Sequence, residues 1–421
     1  MAEGPLRICL LTYRGNPRSG GQGIYVRLLS KALTDLGHSV DVWSGQPYPE
    51  LYAGVRLIKV PSLDLWNEQA LFRTPSLREL SDPINLSEWA RTKFGSFPEP
   101  ITFSKRIARS FRNGNAARYD IIHDNQCLGP GLLPLRSKLP VVATIHHPIT
   151  VDRRIAFQNS VSSKERFGLH RWYSFLPAQL NVSRKLDRIL TVSEASKHDL
   201  HREYGVRPER MRVVGNGINL DVFQPMPGVA RDPNQLITTL SADAPLKGFR
   251  FLLDAVAQLR DEGRAVKLKV IGAPGADTDT AQRVIDLGLD ELVHFTGRVD
   301  VEEIATAYST ASVAIVPSLY EGFGFPAGEA MACEVPVVST RAGALPEVVG
   351  THGETGVLVE PRSGPALAAG IASLLDDPER AAKIGKAARK RVLSQFTWQR
   401  AAERTVDVYR EVLREHRSAA C

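Results

Sequence analysis

Cysteine is scarce: of 421 residues only Cys9, Cys127, Cys333 and Cys421 carry a thiol, too far apart in sequence to read as a zinc or redox pair. That scarcity excludes a disulfide scaffold and fits a reducing compartment. Long apolar runs are missing as well, and nothing approaches the roughly 20 residues that a membrane-spanning helix needs. The opening stretch carries Glu3 and only Ile8 to Leu11 as an apolar segment before Thr12, Tyr13 and Arg14, so it lacks the form of a signal peptide. The expectation is therefore a cytoplasmic protein. No basic cluster is interleaved with a nucleic-acid motif, which argues against DNA or RNA as a partner.

What is present is the composition of an ordinary folded protein, 43% hydrophobic and 24% charged. The length exceeds what one core usually serves, so two domains are expected. The net charge of +7 conceals an asymmetry: residues 1 to 215 carry a net +12 and the remainder a net −5. A basic first half suits an anionic acceptor or peripheral contact with the inner face of a membrane.

Short β-rich runs alternate with helical patterns, the signature of parallel sheets flanked by helices. Strands are expected at Arg7 to Thr12, Ser39 to Trp43, Val55 to Val60, Asp120 to His123, Val141 to Ile145, Arg188 to Val192 and Arg212 to Val214. A second series follows at Gln235 to Thr239, Lys267 to Ile271, His294 to Thr296, Ser312 to Val316 and Val335 to Ser339. Helical spacing marks Ile24 to Leu36, Phe249 to Asp261 and Thr397 to His416. Asn216-Gly217 and Pro225 punctuate the junction, which sets the expected domains at 1–214 and 215–398, with a closing helix over 399–421 that packs back on the first. Residues Pro61 to Pro100 break the rhythm with scattered proline and aromatics, and read as a long functional connection suited to acceptor contact. Ile101 to Asn113 carries Phe103, Ile107 and Phe111 on one stripe with Lys105, Arg106, Arg109 and Arg112 away from it, the pattern of a crossover helix with a solvated basic face.

The strongest chemical signal is Glu321-Gly322-Phe323-Gly324-Phe325-Pro326-Ala327-Gly328-Glu329, which follows the apolar run Val313 to Val316. A strand ends, a glycine-rich turn follows, and a helix opens near Pro326. Such a helix start presents free N–H groups and partial positive charge to phosphate or sugar oxygens. Two glutamates here could reflect only the usual preference of acids for helix N-termini. Glu329 is nonetheless placed to accept two hydrogen bonds from a vicinal diol.

With Pro336-Val337-Val338-Ser339-Thr340, Gly343-Ala344-Leu345-Pro346-Glu347 and Gly353-Glu354-Thr355-Gly356 downstream, this Glu-x7-Glu element resembles the retaining GT-B glycosyltransferases of family four, over nearly the whole chain. The resemblance implies an α/β fold of two Rossmann-like domains facing a central cleft. It also implies transfer of a hexose, mannose or glucose, from GDP-mannose or UDP-glucose to a saccharide or glycolipid acceptor. In that reading Glu321 contacts the donor sugar, Glu329 the ribose, and the amides around Gly322, Phe323, Gly324 and Phe325 the sugar and phosphate. Ser19-Gly20-Gly21-Gln22-Gly23 resembles the family's glycine-rich loop, so Gly20, Gly21 and Gly23 are assigned to the donor. The dinucleotide fingerprint would need a further glycine where Val26 stands, which disfavours NAD.

His146, in Thr144-Ile145-His146-His147, resembles the family's histidine near the donor sugar. Lys247 in Leu246-Lys247-Gly248 resembles the lysine that neutralises the leaving diphosphate. Where the family places an arginine five residues earlier, this chain has Ala242. Gly272 reads as a strand-end turn near the ligand, and Arg298 and Val299 resemble the stretch whose backbone meets the base. No Asp-x-Asp motif stands at a strand end, so no metal and no cofactor beyond the donor are expected. A GT-B epimerase or phosphorylase, or a non-catalytic nucleotide-sugar binder, remains an alternative at this point.

Overall fold

The computed structural model describes residues 4–16, 21–67, 70–112, 114–160, 162–240, 245–273 and 279–420. The chain divides into two compact units, one of residues 1–215 with 401–421 and one of residues 216–400.

The first unit holds seven parallel strands, β1 (Arg7–Thr12), β2 (Ser39–Ser44), β3 (Arg56–Lys59), β4 (Ile121–Asn125), β5 (Val141–Ile145), β6 (Arg188–Thr191) and β7 (Met211–Val213), in the order β3-β2-β1-β4-β5-β6-β7. Both faces of this sheet are covered, so its inner strands read as unbroken apolar runs rather than alternating ones; β4 and β5 are buried at every position. Helices α1 (Gly21–Asp35), α2 (Leu77–Leu80), α3 (Pro83–Lys93), α4 (Glu99–Arg112), α5 (Ile149–Asn159), α6 (Ser163–Trp172), α7 (Leu176–Ser183) and α8 (Glu194–Tyr204) belong to this unit. The core joins Leu11, Ile107, Phe111, Ile122, Val141 and Ile189, all from sheet or crossover helix.

The second unit repeats the plan with six parallel strands, β8 (Asp232–Thr239), β9 (Lys267–Ile271), β10 (Val293–Phe295), β11 (Ala311–Val316), β12 (Val337–Thr340) and β13 (Val357–Val359), ordered β10-β9-β8-β11-β12-β13. Its helices are α9 (Phe249–Asp261), α10 (Asp279–Asp286), α11 (Val301–Thr310), α12 (Phe325–Ala332), α13 (Leu345–Val349), α14 (Gly364–Leu375) and α15 (Pro378–Gln395). The chain closes with α16 (Trp398–Ala420), which from Ala401 onward belongs to the first unit. There Tyr409 lies fully buried with its hydroxyl 2.5 Å from His123 Nδ1, and Glu411 pairs with Arg188 at 2.9 Å and with Arg212.

Every expected strand is present within a few residues of its expected ends, and β13 is an addition. The segment Pro61 to Pro100 requires correction, since from Leu77 onward it is not an unstructured connection but carries α2, α3 and the start of α4. Ser76 and Glu79 form a capping box that starts α2, and Asp82 caps α3 ahead of Pro83. A second correction concerns Arg106, which faces inward and not toward solvent. It pairs with buried Glu88 at 2.6 Å, and its side chain is only 10% exposed. Glu88 in turn accepts from Thr102 Oγ1 and from the Leu63 amide, so the segment is tied to α4 by a satisfied buried network. Among the described residues no helix is long and apolar enough to cross a membrane.

Candidate functional site

In both sheets the strand order reverses between two central strands, β1 and β4 in one and β8 and β11 in the other. Loops leaving the carboxyl ends of such a pair diverge to opposite faces and leave a crevice where ligands bind. Sequence-expected residues collect beside both crevices.

In the second unit the crevice is lined by Thr238 and Thr239 from β8, Val316 from β11, and Ser318, Lys247 and Glu321 from the loops. Lys247 reaches Glu321 with Nζ to Oε1 at 2.7 Å, and Ser318 donates to the same oxygen at 2.9 Å. Two backbone features fix this triad. Leu319 N–H donates to the Leu246 carbonyl at 2.7 Å, which ties the lysine segment to the turn after β11. Gly248, at φ +63°, presses so close to Pro317 that a Cβ would sit 2.0 Å from its carbonyl oxygen. Glu321 is held from behind by Ala344 N–H, which donates to its carbonyl at 3.0 Å. Gly343 allows that approach, since a Cβ there would meet the same oxygen at 2.2 Å.

From this turn α12 begins at Phe325, with Gly324 at φ +102° as its cap and Pro326 in its first turn. Pro326 carries no N–H, and the Ala327 and Gly328 amides donate to the Gly324 carbonyl at 3.1 and 3.2 Å, so the donor that the start of α12 offers an anion is the Phe325 amide. Phe323 is buried against Phe325 and Phe396, with ring centroids 5.2 and 5.6 Å away. Its side chain is thus an anchor and only its backbone is available to a ligand. Gly322 shares the turn. Glu329 lies one turn into α12, and burial pushes its carboxyl up to about 7. Gly272 and Gly297 exchange backbone hydrogen bonds at 3.1 Å, which places the strand end after β9 beside Arg298 and Val299. The Arg298 side chain is exposed.

In the first unit Gly21 and Gly23 begin α1 after β1. His146 follows β5, with its ring against the edge of Tyr25 from α1 at a centroid distance of 4.6 Å. Burial, helped by neighbouring His147, pushes His146 down to about 3, so it is neutral across the ordinary working range. Its Nε2 lies 2.8 Å from Asn125 Oδ1 at the end of β4. Gln126, at φ +52°, brackets the same segment by accepting from His146 N–H at 2.7 Å and donating to the His147 carbonyl at 3.0 Å. A buried chain of polar groups lies behind: Tyr25 hydroxyl to Thr144, 3.0 Å; Thr144 to His123, 2.7 Å; His123 to Tyr409, 2.5 Å.

Sequence reasoning did not single out Asn125, Gln126, Tyr25 or Ser318. The first two carried a signal, because the apolar start of β4 turns abruptly into the polar run Asp124-Asn125-Gln126 at a strand's carboxyl end. Gly20 and Ala242 lie outside the described residues, as do Ser19 and Asp277-Thr278. Among the described residues no group of three or more His, Cys, Asp or Glu side chains is placed to hold a metal ion.

Residues 19–222 match the family described as Glycosyltransferase Family 4, and residues 227–391 match Glycosyl transferases group 1. The chain is 45% identical over 418 residues to the MMP alpha-(1->4)-mannosyltransferase of Mycolicibacterium hassiacum, covering 99% of this chain and 100% of that one. It is 34% identical to a D-inositol 3-phosphate glycosyltransferase of Streptomyces bingchenggensis, covering 98% and 91% of the two chains. Among solved structures it resembles the sucrose-phosphate synthase of Thermosynechococcus elongatus, with a TM-score of 0.72, 26% identity and coverage of 97% and 100%. HepE of Anabaena, solved with UDP-glucose, shares the fold at a TM-score of 0.67 and 19% identity, with 96% and 100% covered.

Proposed function

This chain belongs to glycosyltransferase family 4, a GT-B glycosyltransferase of two Rossmann-like units, and from that premise we propose that it transfers mannose from GDP-mannose to a hydroxyl of a saccharide acceptor with retention of the α configuration. The observation that carries the choice of sugar is the full-length 45% identity to an enzyme named for α-(1→4)-mannosyl transfer. The residue roles rest on the resemblance to the family, and the geometry within each unit, taken separately, supports them.

In the second unit Lys247 is the point charge that meets the leaving diphosphate. It is already oriented by Glu321, its partner at 2.7 Å. The amides of Gly322, Phe323, Gly324 and Phe325 add fixed dipoles where negative charge develops, at no cost in reorganisation. Glu321 receives a hydroxyl of the donor sugar, and Glu329 receives the ribose diol. Backbone at Gly272, Arg298 and Val299 meets the base. In the first unit Gly21 and Gly23, at the start of α1, bring backbone toward the phosphate, and His146 orients a hydroxyl of the transferred sugar. Neither glutamate acts as a nucleophile in this reading. The departing phosphate takes the acceptor's proton on the face from which it leaves, and the protein contributes positioning and electrostatics.

The test is to incubate the full chain with an α-(1→4)-linked mannoside and GDP-mannose, GDP-glucose, UDP-glucose or UDP-mannose in turn, with and without chelator, and to read the new linkage by NMR. Expected is turnover with GDP-mannose alone, unaffected by chelator, giving an α-mannoside. A β product would overturn retention, and use of only a UDP sugar would overturn the donor.

A further inference from the structure

Asn125 sits fully buried at the end of β4 and touches two partners of opposite demand. Its Nδ2 lies 3.3 Å from the backbone carbonyl of Gln22 in α1, and its Oδ1 lies 2.8 Å from His146 Nε2. A carbonyl oxygen can only accept, so the amide must turn its NH2 toward Gln22. Reversing the amide would set two carbonyl oxygens against each other in a site with no exposure to water, which burial makes costly. The orientation of Asn125 therefore decides the proton position on the imidazole: Oδ1 accepts, so Nε2 must donate. In a neutral histidine the other nitrogen is then a bare acceptor.

We propose that Asn125 is a positioning residue that locks His146 as the neutral Nε2-protonated tautomer, leaving Nδ1 to accept a hydrogen bond from a hydroxyl of the transferred sugar. The functional half rests on the reading of His146 given above. Three contacts make the lock rigid. Gln126 grips the backbone on both sides of His146, through the His146 N–H and the His147 carbonyl. Tyr25 from α1 packs edge-on against the imidazole, and its hydroxyl is held by Thr144. Gln22 and Tyr25 both lie on α1, so the helix that follows the glycine-rich loop and the histidine share one set of supports.

Chemically, an acceptor-only imidazole discriminates. It favours a sugar carrying a free hydroxyl at the contacted carbon and rejects a deoxy or O-methylated analogue, because either would leave Nδ1 unpaired in a desolvated site. A protonated or Nδ1–H imidazole would present a donor instead, and would no longer reject the O-methylated analogue, whose ether oxygen can accept.

The experiment is long-range proton–nitrogen NMR on the full chain labelled at histidine, with the His146 signals assigned by their loss in His146→Ala, beside steady-state kinetics. Wild type is expected to show the Nε2–H pattern. Asn125→Ala removes the acceptor, and should give mixed tautomers with kcat lowered roughly tenfold, the scale of one buried hydrogen bond left unmade. Asn125→Asp keeps an acceptor for Nε2 but cannot donate to Gln22. Its carboxylate oxygen against the Gln22 carbonyl should lower the melting temperature, yet it should retain the tautomer and a kcat above that of Asn125→Ala, whereas a purely structural role for Asn125 would make kcat follow stability.

An Nδ1–H imidazole in wild type overturns the proposal, as does an unchanged tautomer in Asn125→Ala. Equal kinetic loss in both Asn125 variants with the tautomer kept in Asn125→Asp overturns it as well, and moves the role to the Gln22 contact. Full turnover by His146→Ala would sink the functional reading of His146 while leaving the NMR result standing, so the two failures are distinguishable.

Discussion

At the scale of single residues the site is defined by partners rather than by residue type. Lys247 and Glu321, both partly buried, become a unit because Leu319 and Leu246 share a backbone hydrogen bond that aligns their segments. Glu329 is the residue whose setting carries a pH signature. Burial holds its acid up to about 7, whereas a diol donates hydrogen bonds only to an ionised carboxylate or its remaining acceptor sites. The bound state therefore favours the ionised form, and below that value binding must expel a proton. Affinity for GDP should rise with pH up to about 7 and level off above it, with proton release visible by calorimetry in buffers of different ionisation enthalpy. Glu329→Gln should flatten the profile. A wild-type affinity that falls with pH across this range would rule out the ribose contact. This residue pair was legible in the sequence because its glycine-rich surroundings are contiguous. Asn125 was not, since its role depends on Gln22 and His146, at the ends of other elements.

At the scale of elements the decisive feature is α16, which starts at Trp398 within the second unit's span and belongs to the first from Ala401. Its tyrosine completes a buried polar chain: His123 has Thr144 at one nitrogen and Tyr409 at the other. Burial pushes His123 down to about 3, so it stays neutral and needs both hydroxyls to satisfy its ring. Tyr409→Phe removes one partner without opening a large cavity. It should cost about 1–3 kcal/mol, the desolvation penalty of one unmade buried hydrogen bond, and should lower the urea midpoint with little change in slope. An unchanged midpoint would show that another group satisfies His123. The periodicity of α16 is visible in sequence, as is that of α1 and α9. The helices between Pro61 and Pro100 were hidden by proline and aromatics, although Ser76-x-x-Glu79 and Asp82-Pro83 already spelled out two helix starts.

At the scale of the molecule the two sheets share one order of strands, and the charge is divided between the units. The returning segment 401–421 carries equal numbers of acidic and basic residues, so the first unit keeps its net +12 and the second its −5. For an acidic unit to take an anionic nucleotide, as proposed, it must rely on local donors, namely Lys247 and the backbone amides of the turn that opens α12 at Phe325, because its overall charge opposes the ligand. GDP at about 100 times its dissociation constant should add roughly 2.7 kcal/mol to the stability of the unit that binds it. Hydrogen exchange should place that protection in residues 216–400. Protection confined to the first unit would contradict the assignment of the nucleotide.

The sequence by itself determined the α/β class, the strand positions and the contiguous glycine-rich turn that opens a helix between Glu321 and Glu329, because periodicity and short glycine-rich turns are local and survive without a partner. Only the tertiary structure decided which way Arg106 faces, what fixes the proton on His146 and why Tyr409 is buried. Each of those depends on residues from 18 to 286 positions apart meeting in the interior, where burial leaves one satisfiable arrangement of donors and acceptors.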